Sequence, residues 1–345
     1  MDNQILRLHR ENAIVDSHLD LGMDIFQQRS QGKKQILLTE HLNEIKAGHV
    51  NVIGAAVFLD NWMAEIAPTR FALEQIGAIY ADVAESHDMV AVCRTYEEIQ
   101  QAIAKDQLAL VLALEGAEPV GQSPELLYGF YAMGVRILGL AWSRRNLIAD
   151  GALYTTPAGH IDSGLTDIGK EIVKTASSLG MIIDITHLCD ACSDDVFQLA
   201  TGPVIASHSN CRQINPTKRN LSDIHIKRIA ESGGVVCMNS VSAIVSDQAG
   251  GATMQTLLDH FDHVRDLVGT AYLGLGFDFS KRVMDAESRI IVNGFPQPVF
   301  DIVNGYQQLS ALTEALLQRD YTESDIAGIY GGNMMRVFKN TLREK

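Results

Sequence analysis

Eight short apolar runs, each nearly continuous and most ending on a charged or polar residue, constrain this chain more than any other feature. They span residues 14–20, 51–59, 108–115, 135–142, 181–187, 203–208, 234–239 and 272–279. A strand with one wet face alternates apolar and polar residues, whereas a strand covered on both faces reads as an apolar run. These runs therefore belong in a parallel sheet with helices packed on it. Helical patterns separate them at 67–87, 166–179, 222–232, 253–268 and 307–317. Ile168, Ile172, Val173 and Ala176 share one helical stripe. Ser222 reads as a helix N-cap, and Gly233 with Gly234 as its stop. Eight strands alternating with helices predict an α/β chain folded as a (β/α)8 TIM barrel. The rival, an open doubly wound sheet, would be supported by a Gly-rich phosphate loop after the first strand, where this chain has SHLDLGMD.

No linker, repeat or shift in composition divides the chain, so a single domain over residues 1–345 is expected. Two long stretches, 143–164 and 280–301, would both lie on the C-terminal face of the barrel, where barrel enzymes bind substrate. With 46% hydrophobic residues and no low-complexity run, disorder is excluded. Apolar stretches break well before ~18 residues, so no transmembrane helix is expected. Twenty-eight basic against 42 acidic side chains give 28 − 42 = −14, a charge that repels phosphate backbones and disfavours nucleic acid as a partner. The start of the chain lacks a signal-peptide pattern, and five cysteines are too few and too odd for a disulfide framework. Both point to a cytoplasmic protein.

The polar residues that close the strands carry the chemistry. The first run ends His18-Leu19-Asp20, and residues two apart on a strand point the same way. The third ends in Glu115, the fifth in His187, the sixth in His208 and the last holds Asp278. Taken singly, each is as readily a salt-bridge partner or a hydrogen-bonded core residue. Together, all six fall on the catalytic face of a barrel. Imidazoles and carboxylates suit zinc, with manganese, iron or cobalt as alternatives. Such a set exceeds what one zinc takes, and a two-metal site that activates a bridging hydroxide follows. The implied reaction is hydrolysis of an amide or a related bond.

This ordered set resembles the membrane (renal) dipeptidase family of metallopeptidases, within the amidohydrolase-like barrels. The resemblance runs through VDSHLD, LALEG, the 164–187 segment ending GMIIDITH, PVIASHSNCR with KRNLSD, GLGFDF and IYGGNMMRVF. It implies two zinc ions. His18 and Asp20 would bind one, Glu115 would bridge both, and His187 and His208 would bind the other. Asp278 would handle the proton of the bridging water and then that of the leaving amine. Arg219 would grip the C-terminal carboxylate of a dipeptide, a pairing suited to a guanidinium fork. The C-terminal residue of the substrate is expected to tolerate D configuration, and a homodimer is expected.

Three features depart from the pattern. Animal members carry a histidine at the end of strand four, where LGLAWSRRN places Trp142, a candidate for substrate stacking or for packing at the barrel top. Ser280 stands where relatives often have a second acidic residue. The animal enzymes are secreted and lipid-anchored, which this sequence does not suggest. Cys189 and Cys192 form a C-x-x-C pair with no second pair to complete a zinc ribbon, and read as small buried residues. The alternative functions are another metal-dependent amidohydrolase acting on a small amide or lactam, or a barrel phosphoesterase. The latter tends to open on His-x-His, which is missing here.

Overall fold

The fold was obtained as a computed structural model, which describes residues 3–153, 161–280 and 299–343. Parts of both long stretches, 154–160 and 281–298, lie outside the described residues. Among the described residues nine strands form one sheet. They are β1 (Val15–Leu19), β2 (Val52–Phe58), β3 (Val90–Val92), β4 (Leu108–Glu115), β5 (Val135–Gly139), β6 (Ile182–Asp184), β7 (Val204–Ile205), β8 (Val236–Met238) and β9 (Leu273–Leu275). Eight of them run in the order β7-β6-β5-β4-β2-β1-β9-β8, and β3 pairs with β4 off this path. Every ladder is parallel. The ring closes between β7 and β8 through a parallel bridge from Ala206 to Val236. There Ala206 N–H donates to Val235 O at 3.0 Å and Cys237 N–H to Ala206 O at 2.9 Å. This is the expected barrel. The additional strand β3 was not anticipated, although it lies within the short apolar run Met89–Cys93.

The strands β6, β7 and β9 are shorter than their apolar runs suggested. Polar side chains take over the backbone there. Asp184 Oδ1 accepts Thr186 N–H at 2.9 Å and Ser207 N–H at 3.0 Å, which turns both chains out of the ladder. Helices follow their capping signals closely. Thr166 accepts from Gly169 N–H at the start of Asp167–Leu179, and Ser222 from His225 N–H at the start of Asp223–Glu231.

The strand faces sort into two cores. Val15, Val52, Ala109, Val111, Ala113, Ile137, Ile182, Ile205, Val235 and Cys237 form one contiguous buried cluster with Met334, Val337 and Phe338. Residues drawn from around a ring meet only in its interior, so this is the barrel lumen, plugged from below by the helix Asn333–Thr341. The other strand face, including Leu110, Leu112 and Leu114, packs against the surrounding helices.

Candidate active site

Strand parity decides which polar side chains enter the lumen. On β4, Ala109, Val111 and Ala113 face inward, so Glu115 continues the same row and stands above it. On β9 the inner row passes through the glycines. A Cβ at Gly276 would lie 1.8 Å from Ser207 O and 2.8 Å from Ser17 Oγ, so only glycine fits beneath Asp278. On β1 a simple alternation would keep Val15 and Leu19 on one face, yet Val15 lies in the inner cluster and Leu19 in the outer one. The register explains this: Asp16 pairs with Ile53 and Leu19 with Ala55, so β1 carries one extra residue. Asp16, next to the inward Val15, faces outward to Tyr306 by ordinary alternation, and the bulge after it turns His18 inward. His187 and Asp278 reach the site through left-handed backbone, at φ 69° and 56°. Such conformations are uncommon for residues other than glycine and gather at functional sites.

All six strand-end residues converge. His18 Nε2 lies 3.4 Å from Glu115 Oε2, 3.7 Å from Asp20 Oδ1 and 4.0 Å from Asp278 Oδ1. Glu115 turns its other oxygen, Oε1, to His187 Nε2 at 3.0 Å and His208 Nε2 at 3.4 Å. The ligand-type atoms of His18, Glu115 and His208 lie within 4.8 Å of one another, as do those of His18, Asp20 and Asp278.

The donor set fits a cation. His18 Nε2 and Asp20 Oδ1 are buried without a hydrogen-bond partner. Burial, with Arg219 and His18 nearby, holds the His187 and His208 imidazoles well below the ordinary histidine range, so both are neutral. Their Nε2 atoms nevertheless face each other at 2.9 Å. Ser207 sets the tautomer of His208. Its hydroxyl donates to Asp184 Oδ2, a carboxylate oxygen that only accepts, and so must accept from His208 Nδ1–H at 2.8 Å. The His208 Nε2 lone pair is thereby aimed at the cluster. Ser143 Oγ stands 2.7 Å from His187 Nδ1 and serves that ring in the same way. Burial pushes the Glu115 carboxyl up to about 7 and Asp278 well above the carboxylate range, with the neighbouring acids adding to both. Lone pairs crowded together and buried acids resisting ionisation are what a divalent ion relieves.

Arg219 is 2% exposed and faces the cluster. Its Nη1 donates to Ser209 Oγ at 2.8 Å and its Nη2 to His208 O at 3.0 Å, with His187 Nε2 at 3.2 Å. Its Nε has no partner among the described residues. Other nearby arginines are engaged elsewhere: Arg144 with Glu118, Arg145 with Asp150 and Arg212 with Asp190. Trp142 is half-buried, its ring 5.0 Å from that of Phe58 and 5.8 Å from that of His187. Beside Asp20 opens a cavity of about 610 Å³, bounded by Phe279, Tyr306 and the buried His41–Asp24 pair. Sequence reasoning missed Asn239, whose Nδ2 donates to Asp278 Oδ2 at 3.0 Å, although it too closes an apolar run. Ser143 and Ser207 were also missed. A lone serine gives no signal, but the position directly before His208 could have suggested one.

A barrel whose catalytic face gathers imidazoles and carboxylates around one focus defines a metal-dependent hydrolase. The comparisons narrow this class. The profile of membrane dipeptidase (peptidase family M19) matches residues 2–345, and the chain belongs to that family of metallo-dipeptidases. Dipeptidase 3 of Mus musculus is 29% identical over 357 residues, covering 99% of this chain and 67% of the mouse protein. Thus the chain spans about two thirds of that relative's length. A metallo peptidase from Rhodobacter sphaeroides, solved with a phosphinate mimic of the dipeptide L-Ala-D-Ala, superposes with a TM-score of 0.81 at 22% identity, covering 96% of this chain and 99% of that one. An amidohydrolase from Pseudomonas aeruginosa gives a TM-score of 0.77 at 20% identity, covering 99% of both chains.

Proposed function

We propose that this chain is a dinuclear zinc dipeptidase formed as one domain over residues 1–345. The observation that carries the proposal is the posture of Glu115, whose two oxygens face opposite halves of the ligand set. In this reading His18 and Asp20 hold one ion, His187 and His208 the other, and Glu115 spans them. Bound ions of this kind polarise a carbonyl and make water a nucleophile near neutral pH.

The chain's own residues supply the rest. Arg219 pairs with the C-terminal carboxylate of the dipeptide and fixes its direction. It follows β7, and the cavity beside Asp20 lies at β1, three places round the ring. A dipeptide anchored at Arg219 therefore runs across the ligand set with its N-terminal residue toward that cavity. Asp278, oriented by Asn239, takes a proton from water and returns it to the departing amine. Trp142 walls the site beside His187 and shapes the space for the substrate. Acceptance of a D residue at the C-terminal position is supported by the mimic bound to the Rhodobacter relative. All five cysteines are free, in keeping with a cytoplasmic protein, and no helix among the described residues is long and apolar enough to cross a membrane. A homodimer completes the reading and is checked by light scattering.

The deciding experiment reconstitutes the protein with zinc and counts metal by elemental analysis. The reloaded protein is then screened against L,L-, L,D- and D,D-dipeptides, an N-acetylated amino acid and a phosphodiester. Two ions per chain and turnover confined to dipeptides are expected. A ceiling of one ion refutes the dinuclear site, and preference for either control substrate refutes the dipeptidase assignment.

A further inference from the structure

The C-x-x-C pair occupies a structural slot that the proposed reaction does not use. Cys189 is the N-cap of the helix Asp190–Leu199, with extended backbone at φ −66° and ψ 161°, and Cys192 is at the third helical position. An N-cap side chain is directed at the third residue of its helix, which is why serine and aspartate there bond to that residue's N–H. Cys189 makes no such cap bond. Its thiol instead meets the thiol of Cys192. Both donate to one acceptor, Ser163 O, at 3.3 and 3.2 Å. Cys189 is 2% and Cys192 0% exposed, so the pair is buried but lies directly under a surface loop.

We propose that Cys189 and Cys192 form a redox-modification site whose reactant is a small two-electron oxidant, a peroxide or a diazene. With peroxide, one thiolate attacks an oxygen and expels hydroxide, giving a sulfenic acid. The second thiolate then attacks that sulfur and expels a second hydroxide. One S–S bond forms, two S–H bonds are lost, and peroxide leaves as two waters. The remaining cysteines compete poorly. Cys93, Cys211 and Cys237 are buried singly, and none has a second thiol beside it among the described residues to resolve a sulfenic acid.

The pair also bears on the active site. Cys192 Sγ accepts Asp150 N–H at 3.1 Å, and Cys189 N–H donates to Asp150 O at 3.1 Å. Ala152 N–H donates to His187 O at 2.6 Å, and Gly151 bridges Leu188. The thiols thus fasten the loop that holds Ser143 to the turn that holds His187. A disulfide removes both donors from Ser163 O, so the strap loosens on oxidation and re-forms on reduction.

The test treats metal-loaded protein with diamide, a diazene, and maps disulfides in the digest. Expected are one Cys189–Cys192 crosslink, a fall in free thiols from five to three, and unchanged metal content. Dipeptide turnover should fall about three- to tenfold, and dithiothreitol should restore thiols and turnover together. Cys192→Ser should keep the untreated rate and lose the sensitivity. The crosslink map needs no variant, so it stands even if Cys192→Ser folds poorly. A full count of five thiols after treatment, or a crosslink involving Cys93, Cys211 or Cys237, overturns the site. A mapped crosslink with undiminished turnover overturns the coupling to His187. Loss of dipeptide turnover in untreated protein would fault the dipeptidase reading and leave the thiol result untouched.

Discussion

Replacing Ser207 by alanine isolates what a residue outside the ligand set contributes to it. Ser207 is 1% exposed, and its hydroxyl is the sole link between Asp184 Oδ2 and His208 Nδ1. Alanine leaves the backbone bond from Ser207 N–H to Asp184 Oδ1 in place, so the turn keeps its shape. Two effects follow. One carboxylate oxygen of Asp184 loses its donor in a buried setting, which costs about 1–3 kcal/mol of folding stability. The His208 ring also loses the acceptor that holds its proton on Nδ1, so its Nε2 lone pair is no longer reserved for a cation. Losing such a supporting partner typically lowers metal affinity 10–100-fold, or about 1.4–2.7 kcal/mol. The assay is chelator competition on zinc-loaded protein, alongside urea denaturation of the metal-free form. On the proposed dinuclear reading, one ion should be weakened by that factor while the ion assigned to His18 and Asp20 changes little. Unchanged affinity for both ions in a folded variant would refute the role given to Ser207 and the tautomer derived from it.

Three further outcomes are expected. Asp278→Asn keeps the bond to Asn239 by presenting its carbonyl oxygen, so both metals should remain while kcat falls ~10²–10⁴-fold; wild-type turnover in fully loaded variant would remove Asp278 from proton transfer. Wild type should prefer a dipeptide over its C-terminal amide, and Arg219→Met should abolish that preference at a cost on the order of 2–5 kcal/mol in kcat/KM; a surviving preference at full metal content places the carboxylate elsewhere. Gly276→Ala puts a methyl 1.8 Å from Ser207 O, so the denaturation free energy should fall by about 3 kcal/mol or more, and an unaltered denaturation midpoint would contradict the close packing of β9 against β7.

The barrel was legible because its strands are buried on both faces. Residues 108–115 read as one apolar run, and β4 occupies that span to the residue. Element ends were less legible where a side chain, rather than the apolar pattern, stops the ladder. Residues 181–187 read as one strand, but β6 stops at Asp184 because that carboxylate captures two backbone N–H groups. Short strand β3 did carry a signal, the apolar run Met89–Cys93, but at five residues it is the shortest of these runs, and it pairs with β4 off the main ring.

The site divides along the same line. The residues proposed to bear the chemistry stand at the ends of apolar runs, where a histidine or carboxylate is conspicuous, and the structure brings all six together. What aims them is invisible in composition. The β1 bulge adds a residue without leaving a proline or glycine to mark it, and only the pairing of Asp16 with Ile53 and Leu19 with Ala55 exposes it. Without it, His18 would share the outward face of Asp16. The residues in contact with the ligand set, Ser143, Ser207 and Asn239, are small polar residues of a kind found throughout the chain, and they gain meaning only from an imidazole or carboxylate at hydrogen-bond distance. Ligand identity is thus written in residue type and position, whereas ligand orientation depends on register and on neighbours distant in sequence. A site of this kind is therefore found from the sequence but tuned by residues the sequence does not single out, and Ser207 is the position where that difference is measurable.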